Sequence, residues 1–308
     1  MVGRLFYETA VPRVKKDLLP TGPANLNFMY FYILDGKNIP DAQFERAQVT
    51  LQGLLAEFKV SGEMARVTSI RGIAELVETA SERGVKTLIA CGTDDTFNFM
   101  LAYLKGRDFA LGFIPMTEDS NLSQILGIDS LLTAVKTVAA RRIEKIDLAM
   151  LGDNYFISQA EFGMASNKAK TTGWLSSLRS MSAVEYNLKI RVDNSYTMDI
   201  TCLGGTVTNS RATSSSNSTI ANPTDGLLDL MILEKMNKID VLKYKPDIAA
   251  GALENIPGTS VIKCKQVEFL EPRGFPLTIA GRTFAKVPTT VQIFPRQLRM
   301  IVGKGRTF

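Results

Sequence analysis

Hydrophobic and polar positions alternate on two different periods along this chain. From residue 27, short apolar runs exchange with stretches of helical spacing. "NFMYFYIL" has strand length. After Pro40, the residues Phe44, Ala47, Leu51, Leu54, Leu55 and Phe58 recur as one helical face. "ARVTSI" predicts a short strand. Ile73, Leu76, Val77 and Ala80 then form an i, i+3, i+4, i+7 stripe, with Gly84 at a helix C-terminal position. "VKTLIA" predicts the next strand, "TFNFMLAYL" a helix, "FALGFIP" a strand, and a Leu-rich helix covers about residues 130–141. Strand–helix repeats of this kind predict parallel strands with crossover helices.

After Arg142 the period shortens. "IEKIDLAML", "NYFISQAEF", "YNLKIRV", "YTMDITCLGG", "LLDLMIL", "SVIKCKQVEFL" and "TTVQIF" read as strands, several of them half-buried and antiparallel. The expected organisation is therefore an N-terminal extension over residues 1–24, an α/β domain with a parallel sheet over 25–142, and a β-rich, sandwich-like domain over 143–302. Residues 303–308 are open to a return to the first domain. The Ser/Thr/Asn-rich "TNSRATSSSNSTIANPTDG" reads as a long loop.

Composition narrows the chemistry. The chain has 308 residues, 45% hydrophobic and 22% charged, enough for a substantial core. No apolar run approaches the ~18 residues that a membrane-spanning helix needs. A cytoplasmic protein is expected, with peripheral attachment to a membrane left open. The three cysteines follow no zinc or disulfide spacing. There is no histidine, which excludes Ser-His and Cys-His nucleophile pairs and any imidazole base. The net charge of +5 suits a nucleotide ligand, an anionic surface or an ordinary solvated exterior.

The stretch "CGTDDTFNFML" carries the candidate chemistry. Ligands of open α/β sheets bind beyond the carboxyl ends of the strands, where a helix start offers free N–H groups to phosphate. Gly92, Thr93, Asp94, Asp95, Thr96 and Asn98 fall there; an acidic N-cap on a plain turn is the other reading. The stretch resembles the Gly-Gly-Asp-Gly-Thr motif of the diacylglycerol kinase, sphingosine kinase and NAD kinase superfamily. Gly92, Asp94, Thr96 and Asn98 match, while Thr93 and Asp95 stand in place of glycines. "LGFIPMTEDSNLSQILGI" is similar to the next lipid-kinase segment at its flanks, Leu111-Gly112, Pro115 and Leu126-Gly127-Ile128, but not at its centre, "TEDSN", whose Asn121 is a further candidate nucleotide contact. "NPTDGLLDLMIL" resembles Asp-Asp-Gly-Leu-Leu-Asp-Val, which includes Asp225 and Asp229. Near the C-terminus, Ala280 and Arg282 stand where the family carries the acids of Asp-Gly-Glu.

The resemblance implies a fold of the NAD kinase/diacylglycerol kinase type and an ATP-dependent kinase acting on a lipid hydroxyl such as that of diacylglycerol. It implies Asp94 against the nucleotide phosphates and a magnesium ion, with Thr96 and nearby amides as phosphate donors. Asp225 is then the base on the acceptor hydroxyl. The substitutions argue against this. Asp95, like Glu118 and Asp119, adds negative charge beside a polyanion, a repulsion of about 4 kcal/mol per close pair at 4 Å. Arg282 could compensate. A catalytically inactive nucleotide- or lipid-binding relative and a diverged NAD kinase-like enzyme remain the alternatives. The expected partners are a nucleotide and a lipid or other small-molecule acceptor, not nucleic acid, with a homodimer left open. Trp174 in "TTGWLSSLRSM" is read either as a packed aromatic or as a lipid contact.

Overall fold

The computed structural model describes residues 30–104, 106–118, 120–163, 184–212, 221–250 and 252–308. The N-terminal extension, Asp119 and Trp174 lie outside these. The first half runs β1 (Tyr30–Leu34), α1 (Asp41–Glu57), β2 (Glu63–Arg66), α2 (Ile73–Glu82), β3 (Thr87–Gly92), α3 (Asp94–Leu101), β4 (Ala110–Pro115), α4 (Asn121–Ile125) and α5 (Leu131–Ala140). Strand β1 pairs in parallel with β2 and β3, and β3 with β4. Every residue of β1 and β3 is buried, as expected of parallel strands covered by helices on both faces.

Local chemistry sets the ends of these elements. Helix α2 buries Leu76, Val77 and Ala80 and ends at Gly84, whose φ is +66°. There the Val85 N–H donates to the Ala80 carbonyl at 3.1 Å and the Gly84 N–H to Ser81 at 3.0 Å. This is the two-bond C-terminal motif that a left-handed glycine permits. The second strand begins two residues earlier than "ARVTSI" suggests and ends four earlier, because pairing with Phe31–Leu34 begins at Glu63 and ends at Arg66.

The second half contains β5 (Ile143–Leu151), β6 (Asn154–Phe156), β7 (Gln159–Gly163), β8 (Tyr186–Val192), β9 (Tyr196–Cys202), β10 (Gly204–Thr208) and β11 (Leu228–Leu233). Two short helices follow, α6 (Lys238–Lys243) and α7 (Lys245–Ala250). Strands β12 (Thr259–Cys264), β13 (Gln266–Glu271), β14 (Pro276–Ile279), β15 (Arg282–Lys286) and β16 (Thr289–Ile301) complete it. Three runs that read as single strands are each split between two sheets. "SVIKCKQVEFL" becomes β12 and β13, "NYFISQAEF" becomes β6 and β7, and "YTMDITCLGG" spans β9 and the start of β10.

One sheet has the order β2-β1-β3-β4-β16-β13-β8-β9, with β5 and β6 attached beside β16; the other is β12-β11-β10-β7-β14-β15. Strand β16 belongs to both halves. Its Arg299 and Met300 pair in parallel with Ala110 and Leu111 of β4, while Thr289–Gln292 pair antiparallel with β13. Beyond it, the Gly303 N–H donates to Leu126 and the Thr307 N–H to Ile125, so the C-terminal segment lies on the α/β half. Two large apolar cores result. One lies under the parallel strands and helices; the other, with Phe162, Leu230, Phe269 and Leu277, lies between the two sheets.

The six-stranded sheet has a second, polar face. Gln159, Glu161, Thr206, Thr208, Asp229 and Thr278 are all buried. The register places them together, with Thr206 opposite Glu161, Thr208 opposite both Gln159 and Asp229, and Thr278 opposite Glu161.

Candidate functional site

The turn from β3 to α3 is built around Gly92. A Cβ there would come 2.3 Å from the Thr96 hydroxyl and 3.0 Å from the Asp35 carbonyl, so only glycine fits. Thr93 is the N-cap of α3, and its N–H donates to the Thr96 Oγ1 at 3.2 Å. The Thr96 hydroxyl donates in turn to the Asp35 Oδ2 at 3.0 Å. The other Asp35 oxygen accepts the Lys37 N–H at 2.9 Å. Thr96 is 1% exposed and its one hydroxyl hydrogen is engaged by Asp35. It ties the exits of β1 and β3 together. Cys91 beneath the turn is fully buried, and burial pushes its thiol far up, so it is inert.

The two acids of the turn face different ways. Asp94 Oδ1 accepts the Ser120 hydroxyl at 2.5 Å, and Oδ2 accepts the Leu122 N–H at 3.1 Å. Burial raises the pKa of its carboxyl; donors from Ser120, Leu122 and Asn121 pull it back, and neighbouring Asp95 adds to the rise. The carboxylate expected against phosphate and magnesium is therefore directed to the start of α4. Asp95 Oδ2 lies 2.9 Å from the Arg282 Nη2, at the start of β15 in the other half. Asn98 is half-buried one turn beyond Asp94. Asn121 is exposed, and its Oδ1 accepts the Ala212 N–H at 3.3 Å, a second link between the halves. Glu118 is exposed.

Beside this turn, beyond the carboxyl ends of β1 and β2, lies a cavity of about 510 Å³. Lys37, Arg66, Thr68, Ser69, Phe99 and Tyr103 line it, together with the carboxylates of Asp35 and Asp41. The Arg66 guanidinium is held by Glu45 at 2.8 Å. The Lys37 Nζ and the Arg282 Cζ each lie 5.8 Å from the centre of the Phe99 ring. Sequence reasoning missed all of these except Arg282. The available signal was "YFYILDGK", an apolar run ending in an Asp-Gly turn, read by the same strand-end rule that singled out "CGTDDT".

The β-rich half holds its own acid cluster. Asp225 precedes Gly226, whose φ is +75°. Its Oδ1 accepts the Leu227 N–H at 3.0 Å and its Oδ2 lies 2.9 Å from the Lys263 Nζ. The same ammonium is 3.1 Å from Asp229 Oδ1, and Asp229 Oδ2 accepts the Ala221 N–H at 2.7 Å. Burial works against the charge on Lys263, but its bonds to Asp225 and Asp229 outweigh it and the pKa is raised. Asp147 sets this turn, accepting the Gly226 N–H at 2.7 Å and the Arg296 N–H at 2.8 Å from a fully buried position. Burial raises the Asp147 pKa, and the two N–H donors oppose the rise. Neither Asp147 nor Lys263 stood out in the sequence. The contacts of Asp225 stay within the β-rich half. The structure thus joins Asp95 to Arg282, but does not join Asp94 to Asp225 by any of these bonds.

The turn holds no assembled set of protein ligands for a divalent cation. Both Asp94 oxygens already accept hydrogen bonds and Asp95 is paired with a guanidinium. Among the described residues, no three acidic, histidine or cysteine side chains gather as a ligand set.

Comparison with known proteins decides the family. Residues 40–151 match the diacylglycerol kinase catalytic domain, and residues 160–302 match the YegS C-terminal NAD kinase beta sandwich-like domain. The chain belongs to the diacylglycerol kinase/YegS-like lipid kinase family. It is 30% identical over 145 residues to the "Probable lipid kinase YegS-like" of Cronobacter sakazakii, covering 44% of this chain. That match spans about half of the relative's length, 46%. In fold, the chain resembles a diacylglycerol kinase from Bacillus anthracis str. Sterne, with TM-score 0.69, 17% identity, and coverage of 89% of this chain and 97% of that one. Another solved structure from that organism gives TM-score 0.73 at 17% identity over 90% and 98% of the two chains. The lipid kinase family implies ATP as the phosphate source, with a divalent cation. Among the described residues no helix of this family member is long and apolar enough to cross a membrane.

Proposed function

We propose that this lipid kinase-like chain binds ATP in the cavity beside the β3–α3 turn and transfers its γ-phosphate to a lipid hydroxyl such as that of diacylglycerol. The observation that carries this reading is the cavity itself. It joins cations, Lys37 and Arg66, to aromatic rings, Phe99 and Tyr103, at the strand ends where α/β sheets take their ligands. Rings suit a base, and cations with hydroxyls suit ribose and phosphate. On the acceptor side, Asp225 takes the proton from the attacking hydroxyl. The Leu227 N–H and Lys263 hold that carboxylate in position. The buried polar face next to Asp229 offers hydroxyl and carboxylate partners to a polar headgroup.

Binding without transfer is the second reading. It is favoured by the bonds of Asp94 to Ser120 and Leu122, and by Asp225 being engaged within its own half. One experiment separates the two. ATP binding is followed by thermal shift, and labelled phosphate transfer to diacylglycerol is measured in mixed micelles, with NAD as a control acceptor. Transfer by the wild type that falls about 100-fold or more in Asp225→Asn supports the kinase. A thermal shift with no labelled lipid supports the binding protein, and no shift at millimolar ATP removes both.

A further inference from the structure

The phosphates of a bound nucleotide must be neutralised, and both acids of the β3–α3 turn, including Asp94, which was expected to act through a cation, are engaged elsewhere. Asp94 is held by Ser120 and Leu122, and Asp95 by Arg282. The Thr93 N–H, at the centre of the turn, is bonded to Thr96. Two changes in this chain coincide: an acid stands where the family motif has glycine, and an arginine stands where it has an acid. These two residues meet at 2.9 Å across the halves.

We infer that Arg282, paired with Asp95 and 5.8 Å from the Phe99 ring that lines the cavity, holds the nucleotide phosphates in place of a divalent cation, so that nucleotide binding needs no magnesium. The inference rests on the nucleotide reading of the cavity. A guanidinium carries five N–H donors, and Asp95 meets it at one nitrogen. The remaining edge can take a phosphate in the bidentate geometry that suits arginine. The Arg282 side chain is 44% exposed, so its pair with Asp95 is weak enough to be shared with a stronger anion. Lys37 and Phe99 line the cavity, and Arg282, outside that lining, lies 5.8 Å from the centre of the same Phe99 ring. Asp95 acts as a positioning residue. Its charge orients the guanidinium and does not itself touch the ligand.

The test is calorimetric titration of ATP and ADP into the full chain, once in EDTA and once in magnesium. The expected result is equal affinity in both buffers, within about threefold. Arg282→Ala should weaken binding about tenfold or more in both, and Arg282→Lys should recover only part of it, because an ammonium cannot make the paired contact. Inorganic tripolyphosphate should compete in EDTA and adenosine should not compete comparably. Thermal denaturation of Arg282→Ala shows that an affinity loss is not a folding loss. Binding that appears only with magnesium, or that Arg282→Ala leaves unchanged, overturns this inference and leaves the nucleotide site standing. No binding in either buffer overturns both.

Discussion

The molecule has two acidic turns, and they solve the same electrostatic problem differently. Each carries a pair of aspartates, Asp94–Asp95 on the α/β half and Asp225–Asp229 on the β-rich half, and each is met by one cation. In the second turn the cation is local. Lys263 sits on β12, directly paired with β11, and its ammonium bridges both acids. In the first, neutral donors hold Asp94, and the cation for Asp95 crosses from the other half. A pair formed within one sheet is fixed by folding of that sheet. The pair formed between halves is the more exposed, at 44% and 27% for Arg282 and Asp95 against 36% and 2% for Lys263 and Asp229, and solvent screens it more. On the proposed function, the more exposed charge lies on the nucleotide side and the more buried charge on the acceptor side.

The comparison can be broken at the buried end first. Asp147→Ala should cost about 3 kcal/mol in urea unfolding, because it leaves the Gly226 and Arg296 N–H groups without their acceptor. A loss under about 1 kcal/mol would mean that the Asp225 turn does not depend on it. Next, the two cations should differ. Lys263→Met strands Asp229, whose side chain is 2% exposed, and should cost about 1–2 kcal/mol after allowance for a lysine that is 36% exposed. Arg282→Ala should cost less than about 1 kcal/mol in the same assay. Equal losses would erase the distinction between the more buried and the more exposed cation.

The smallest effect is in pH. The folded pKa of Asp94 is raised above its ordinary 3.8, so between those values the native state binds the extra proton. Stability contributed by neutral Asp94 is therefore present at low pH and lost as pH rises through the folded value. The Tm difference, wild type minus Asp94→Asn, should fall from pH 4 towards neutrality and then level off. A difference that grows with pH would show that the ionised form is the one the site favours.

Much of the fold was legible because its signals are local. The unbroken apolar runs of β1 and β3 announce strands covered on both faces, and Gly84 announces a helix end. Which sheet a strand joins is not local. "SVIKCKQVEFL" alternates without interruption, yet Lys265 separates β12, paired with β11, from β13, paired with β8 and β16. A period of two carries the face of a residue and not the identity of its neighbour. The site was legible in part for the same reason. Asp95 and Arg282 stood out because each departs from a family motif, but their contact depends on how the halves close. Asp147 and Lys263 were invisible because an acid or lysine within an alternating run looks like a solvated position, whereas Asp35 closes an apolar run whose end was a readable signal. Their burial is set by N–H groups and carboxylates arriving from distant turns.

Strand β16 has a consequence for how the protein is made. Until residues 298–301 leave the ribosome, β4 has an open edge, since its partner on that side is encoded almost two hundred residues later. The nascent parallel sheet must wait, exposed, for a strand that also closes the opposite lobe. Lesions late in the gene should therefore damage the half of the molecule that is translated first.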